Sequence, residues 1–234
     1  MRKFIISIDA GTTSNRSILF DLKGKPIYYS QKEFTQYFPK SGWVEHNPDE
    51  IWKTTVQTLK AVIQKAKSLK GKILSIGITN QRETTVLWDK KTGKAVYRAI
   101  VWQDRRTEEF CKKLRKQNKD TMVFNKTGLL IDSYFSGTKI KWILDNVPRA
   151  KVLMSKKQLL FGTIDSFLIW RLTKGKVHAT DATNASRTMI YNISSNKWDD
   201  TILKLLKIEK HILPEVKDCA DDYGQTHSSI TGKS

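Results

Sequence analysis

The sequence predicts a mixed α/β domain whose sheet opens with three antiparallel strands and is covered by helices. Three observations predict it. Apolar, β-rich runs recur within the first thirty residues at Phe4-Ile5-Ile6-Ser7-Ile8, Ser17-Ile18-Leu19-Phe20 and Lys25-Pro26-Ile27-Tyr28-Tyr29-Ser30, separated by short glycine-bearing turns. A capped amphipathic segment follows from Asn47. Another apolar run, Lys72–Ile78, comes directly after it. A meander followed by a helix and a further strand gives a mixed sheet, whose apolar faces need helical cover.

Composition is consistent with one large or two small folded domains. The chain has 234 residues, of which 39% are hydrophobic and 28% charged, enough apolar material for a buried core. No apolar run reaches membrane-spanning length, and the Arg2-Lys3 start is not followed by a signal-peptide core. Cys111 and Cys219 stand far apart and outside any metal-spaced cluster, which argues for a reducing compartment, the cytoplasm. His46, His178, His211 and His227 show no paired ligand spacing, which argues against structural zinc. The formal charge of +19 raises nucleic acid as a partner. Only ten of the 42 basic residues are arginine, however, and clusters such as Lys112-Lys113 and Lys156-Lys157 are short. Dispersed lysine speaks for a solvated surface, and no groove-reading motif is present, so no nucleic-acid partner is expected.

The elements follow in order. The first two strands enclose Asp9-Ala10-Gly11-Thr12-Thr13-Ser14-Asn15-Arg16, and a Lys23-Gly24 turn leads into the third. Asn47-Pro48-Asp49-Glu50 reads as an N-cap, a proline at the first helical position and acids in the first turn. Trp52, Val56, Leu59, Ile63 and Ala66 then recur at steps of four and three, predicting one buried stripe. Lys72–Ile78 reads as a buried strand. Thr84–Trp88 and Ala95–Trp102 read as a strand pair around Asp89–Gly93. Helices are predicted over Thr107–Gln117, Gly137–Asn146, Thr163–Leu172 and near Asp199–Leu206. The end, His227–Ser234, is polar and without a terminating element, which suggests part of a longer protein. Thr231-Gly232-Lys233-Ser234 imitates a phosphate-loop tail, but His227 stands where that motif needs glycine.

Two places carry chemistry. In the first turn, a carboxylate closes one strand, small residues let backbone N–H groups and hydroxyls approach a ligand, and Arg16 adds a fixed charge. That combination suits a nucleotide phosphate and its magnesium ion, the plainer reading being an ordinary polar hairpin turn. The second is a set of polar groups, Asn80-Gln81-Arg82-Glu83 and Trp102-Gln103-Asp104-Arg105-Arg106 after predicted strands and Asp132–Lys139 before a predicted helix. Arg82 beside Glu83 supplies donors and an acceptor, which together hold a hydroxyl. Trp102 would wall a carbon skeleton and Tyr134 would add a hydroxyl. The plainer readings are a surface ion pair of little worth for Arg82 and Glu83 and a core position for Trp102.

These residues lie in segments that resemble the glycerol kinases, a family of carbohydrate kinases with an actin-like, ribonuclease-H-like fold. The matching segments are Asp9–Ser14, Gly42–His46, Gly77–Thr85, Ala99–Gln103, Tyr134–Lys139 and Asn184–Met189, in the family's order and over nearly the whole chain. The Asp-x-Gly-Thr turn is shared by the wider superfamily; Asn80–Thr85 with Tyr134–Lys139 favours glycerol over five- and six-carbon sugars. The resemblance implies that Arg82, Glu83, Trp102 and Tyr134 contact glycerol. It implies that Asp9 helps hold magnesium and phosphate, and that Thr12, Thr13, Ser14 and Arg16 meet ATP or ADP. It also implies an aspartate base in a Gly-Asp-Gln segment following the Tyr-Gly-Gln-Thr stretch, here Tyr223–Thr226, and an adenosine-binding second domain. Neither is present in residues 1–234, so the expectation is an N-terminal glycerol-binding domain, inactive alone, from an enzyme that oligomerises with itself when whole. Ala10 departs from the glutamine common in relatives, and the tail around Ser229–Ser234 lacks the glycine-rich pattern tied to sugar-phosphate regulation. Competing expectations are a kinase of another polyol or sugar, a basic nucleic-acid-binding domain, and an actin-like structural ATPase, for which Arg82-Glu83 has no evident purpose.

Overall fold

The computed structural model describes residues 1–232. Strands β1 (Arg2–Ala10), β2 (Ser14–Asp21) and β3 (Pro26–Glu33) form the expected antiparallel meander. On β1 the alternate residues Phe4, Ile6, Ile8 and Ala10 are buried, the period of two that a one-sided sheet imposes. Two short strands, β4 (Gln36–Tyr37) and β5 (Glu45–His46), lead to helix α1 (Pro48–Ser68). The Asn47 side chain caps α1, accepting the Asp49 N–H at 2.9 Å.

The buried stripe of α1 is offset from the predicted one. Leu59, Ile63 and Ala66 are buried, but Trp52 and Val56 are half-buried at its border, and Ile51, Thr55, Thr58 and Val62 complete the buried face. The offset has a polar cause. Facing residues on β2 bond to the helix: Ser17 Oγ lies 2.9 Å from Thr58 Oγ1, and Asn15 Nδ2 donates to the Ile51 carbonyl at 2.9 Å. Threonines at the centre of a contact are invisible to an apolar periodicity.

Strand β6 (Gly71–Asn80) pairs parallel with β1, so the sheet order is β3-β2-β1-β6. It is not the fully buried strand expected from its apolar run. It occupies a sheet edge with one face on α1, and Leu74 on the other face is 47% exposed. The next pairing also differs from expectation. The segments around β7 (Val86–Asp89) and β8 (Ala99–Ile100) meet in two isolated antiparallel bridges, Thr85 to Ile100 and Trp88 to Ala95, rather than in a continuous ladder. β8 lies on β5, while β7 takes as its ladder partner β9 (Leu159–Gly162), which is far away in sequence.

Between β8 and β9 lie α2 (Glu108–Lys116), α3 (Asp120–Thr127), α4 (Ser136–Asn146) and α5 (Pro148–Ser155); α6 (Ile164–Leu172) follows β9. The predicted α2, α4 and α6 are present; α3 and α5 are additional short helices, α3 ended by left-handed Gly128 and α5 opened by Pro148. The remainder comprises β10 (Ala179–Asp181), α7 (Ala182–Ala185), β11 (Tyr191–Asn192), β12 (Lys197–Trp198), the predicted α8 (Asp200–Leu206), β13 (Glu215–Lys217) and α9 (Ser228–Thr231). The polar end thus contains a single-turn helix. Lys233 and Ser234, the last residues of the phosphate-loop-like tail, lie outside the described residues.

The β7–β9 ribbon divides two apolar cores. Val86, Trp88 and Leu160 face the core under α1 and the sheet; Leu87, Leu159 and Phe161 face the core built from α2 to α5 and α8. Alternation along an extended chain lets one ribbon serve both. Arg106, with its side chain fully buried, braces the loops beside this ribbon. It forms ion pairs with Asp104 and Glu45 at 2.8 Å and stacks 3.7 Å from the Trp43 ring centre. Among the described residues no helix is long and apolar enough to cross a membrane.

Candidate active site

The Gly11-Thr12-Thr13 turn joins β1 and β2. The Gly11 N–H is bonded to the Ser14 carbonyl at 3.0 Å, whereas the N–H groups of Thr12 and Thr13 make no hydrogen bond among the described residues. Asp9 and Arg16 are register partners, so their side chains share one face of the sheet. The Asp9 carboxylate has no hydrogen bond or ion pair among the described residues, an acceptor left open beside two open donors. Arg16 Nε donates to Gln31 Oε1 at 3.0 Å, and Gln31 Nε2 donates to Ser14 Oγ at 2.9 Å. The neighbouring strand therefore orients the arginine.

The turn is braced from behind by the loop after β6. Gln81 N–H donates to the Ala10 carbonyl at 2.8 Å, and Gln81 Nε2 donates to the Gly11 carbonyl at 2.9 Å. The same Nε2 lies 3.3 Å from His46 Nδ1, while His46 Nε2 lies 2.6 Å from Gln36 Oε1. These partners suit a neutral ring donating from Nε2. Burial pushes the His46 pKa down to about 4, in the same sense.

Trp102 connects the turn to the second polar group. Its indole Nε1 donates to Thr12 Oγ1 at 3.1 Å, and its ring centre lies 5.4 Å from that of Tyr134. Tyr134 sits in the loop before α4. There the buried Lys139 folds back so that its ammonium donates to the Ser133, Tyr134 and Phe135 carbonyls, the latter two at 2.6 and 3.3 Å. Burial lowers the Lys139 pKa to about 7.

Arg82 and Glu83 do not pair with each other. Glu83 is buried, with a left-handed backbone at φ 66°, and its Oε1 accepts from Arg187 Nε at 2.7 Å. The Arg187 guanidinium lies 5.8 Å from the Tyr134 ring centre and 5.0 Å from that of Phe135. Arg82 is exposed and lines a broad groove along β6 with Asn80, Asp165 and Asn184. Asp165 is buried, and this pushes its pKa up to about 6; it accepts from the Thr163 hydroxyl, from Thr180 at 2.6 Å and from Asn80 at 3.2 Å. Thr12, Trp102, Tyr134 and, through Arg187, Glu83 form one contiguous series, whereas Arg82 lines the groove along β6 and its side chain makes no hydrogen bond or ion pair with that series among the described residues. Arg187 carried no sequence signal of its own beyond its place in the Asn184–Met189 segment. Its partner is over a hundred positions away in the chain.

An open carboxylate and two open backbone donors thus lie in or beside a turn that a tryptophan ties to a polar loop. The chain belongs to the FGGY family of carbohydrate kinases, whose N-terminal domain matches residues 4–234. Among curated relatives it is similar to glycerol kinases. It is 58% identical over 233 residues to that of Brachyspira hyodysenteriae and 56% identical over 232 residues to that of Rhizobium meliloti. These alignments cover 100% and 99% of this chain but 47% of each relative, so the chain spans about half the length of the curated relatives it matches. A solved Plasmodium falciparum glycerol kinase with ADP superposes with a TM-score of 0.94 at 35% identity, over 98% of this chain and 46% of that one. The fold is accordingly the actin-like, ribonuclease-H-like one that the resemblance implied.

Proposed function

We propose that residues 1–234 form the N-terminal, substrate-binding domain of an ATP-dependent glycerol kinase, which transfers the γ-phosphoryl group to a terminal hydroxyl and yields glycerol 3-phosphate. The observation that carries this reading is the Thr12–Trp102–Tyr134 connection, which couples a phosphate-suited turn to a polyol-suited loop. Phosphoryl transfer depends on placing donor and acceptor in line and on neutralising the developing charge. Thr12, Thr13, Ser14 and Arg16 would bind the ATP phosphates. Trp102 and Tyr134 would wall the three-carbon skeleton, and Arg82 and Glu83 would hold its hydroxyls.

Asp9 fits magnesium: an unpartnered carboxylate beside phosphate donors is what a cation held by one or two carboxylates plus phosphate oxygens requires. Bound there, magnesium would neutralise phosphate charge. The base that accepts the hydroxyl proton and the adenosine-binding domain belong, on this reading, to parts of the kinase outside residues 1–234. Cytoplasmic location and self-association of the whole enzyme complete the proposal, the latter checked by sedimentation of the intact kinase.

The test is kinetic, in the intact kinase that carries this domain. A charge-assisted hydrogen bond is worth ~1.5–3 kcal/mol, and more where the site closes over it. Arg82→Ala and Glu83→Ala should therefore each lower kcat/KM for glycerol by on the order of tenfold to a thousandfold. Lys90→Ala, an exposed change in the β7 turn, should leave it unaltered. Wild-type kinetics in both site variants, with the fold intact, would move the glycerol site elsewhere. A preference for a five- or six-carbon sugar would make the chain part of a different kinase.

A further inference from the structure

The Glu83 carboxylate is a buried charge on a strained backbone, and such a group stays in place only when its surroundings over-determine it. Three elements do so. Ser136 Oγ at the start of α4 donates to the Glu83 carbonyl at 2.9 Å, and Thr85 Oγ1 donates to the same oxygen at 3.1 Å. The segment after α7 supplies Arg187, whose Nε holds Oε1. That segment is itself fixed to α4: the Gly137 N–H donates to the Thr188 carbonyl at 2.7 Å. The loop after β6, the start of α4 and the segment after α7 thus meet at one point, and Arg187 is the charged group at the junction.

We propose that Arg187 is a positioning residue of the polyol site, a reading that rests on the assignment of Glu83 as a hydroxyl acceptor. Its Nε engages one carboxylate oxygen only. Glu83 Oε2 makes no hydrogen bond among the described residues, so the ion pair leaves a fixed acceptor open to a substrate hydroxyl. The guanidinium also lies against the rings of Tyr134 and Phe135. It therefore sets the spacing between the carboxylate that accepts from the polyol and the tyrosine beside it, two groups the backbone places on separate loops. A planar guanidinium does both tasks at once; an ammonium pairs with the carboxylate without covering the rings.

The experiment is a double-mutant cycle on the intact kinase, with glycerol and ATP varied separately. Arg187→Ala should raise the glycerol KM about tenfold to a hundredfold while the ATP KM stays within about twofold, since the nucleotide turn does not touch Arg187. Arg187→Lys should recover part of that loss, and it remains the informative variant where the alanine form fails to fold. The double variant Arg187→Ala/Glu83→Ala should lose much less than the product of the two single losses, because Arg187 acts chiefly through that carboxylate. Two outcomes overturn this proposal alone: an impaired Glu83→Ala beside a wild-type Arg187→Ala, or losses that multiply in the double variant. A silent Glu83→Ala overturns the polyol-site reading and this proposal with it.

Discussion

His46 shows how a single side chain supports the Gly11–Thr13 turn from outside it. Its ring is buried between Gln36 and Gln81, and Gln81 in turn holds the Gly11 carbonyl. Burial pushes its pKa down to about 4, and that of His178, which lies 2.7 Å from the Phe161 carbonyl, down to about 4 as well. A group whose folded pKa lies below its free value binds fewer protons folded than unfolded. Its stabilising contribution is therefore complete above about pH 6.5 and is lost as pH falls towards 4. For each ring the loss is on the order of 3 kcal/mol. Thermal unfolding followed from pH 7 to 4 should show falling stability, with a smaller slope in His46→Gln than in the wild type. An identical slope in the variant would show that the ring does not titrate in this way.

At the scale of elements, caps and close contacts decide stability. The Asn47 cap satisfies an N–H that the first turn of α1 leaves open, so Asn47→Ala should lower unfolding free energy by about 1 kcal/mol in denaturant titration. Gly162 stands where β9 passes between Trp88 and α6. A Cβ there would lie 2.5 Å from Ser166 Cβ and 3.0 Å from Trp88 Cη2. Gly162→Ala should therefore destabilise by about 1–3 kcal/mol through overpacking. Gly77, on the exposed side of β6, meets nothing within 4 Å. Gly77→Ala should be neutral or slightly stabilising. Equal effects of the two alanines would show that the dividing ribbon is more yielding than its packing implies.

For the whole molecule, the division of labour between domains is the testable claim. Purified residues 1–234 should show no appreciable glycerol phosphorylation, whereas the intact kinase should turn over. Robust turnover by residues 1–234, free of contaminating kinase, would place the proton acceptor within this domain. The net charge of +19 gives a second test at this scale. Dispersed lysines should confer only weak, non-specific DNA binding that vanishes at moderate salt. Tight binding to one sequence at physiological salt would reopen the nucleic-acid reading.

The meander, the capped helix and the tight turn after β1 were legible in the sequence because each is encoded by neighbours. Period-two and period-3.6 patterns, an Asn-Pro cap and a small-residue turn act over a few residues, where chain geometry leaves little choice. Arg82, Glu83 and Trp102 after strands, and Tyr134 before a helix, stood out as polar or aromatic residues and through their resemblance to a family; their substrate role remains the proposal. The tertiary structure alone decided who pairs with whom. Glu83 adjoins Arg82 in sequence yet pairs with Arg187, β7 adjoins β8 yet ladders with β9, and the stripe of α1 turns towards the polar partners on β2. Each choice is made by burial. A carboxylate taken out of water needs a charged partner there, and an apolar ribbon between two cores takes the strand that closes both. Such partners are selected in space, at sequence separations that local periodicity does not record.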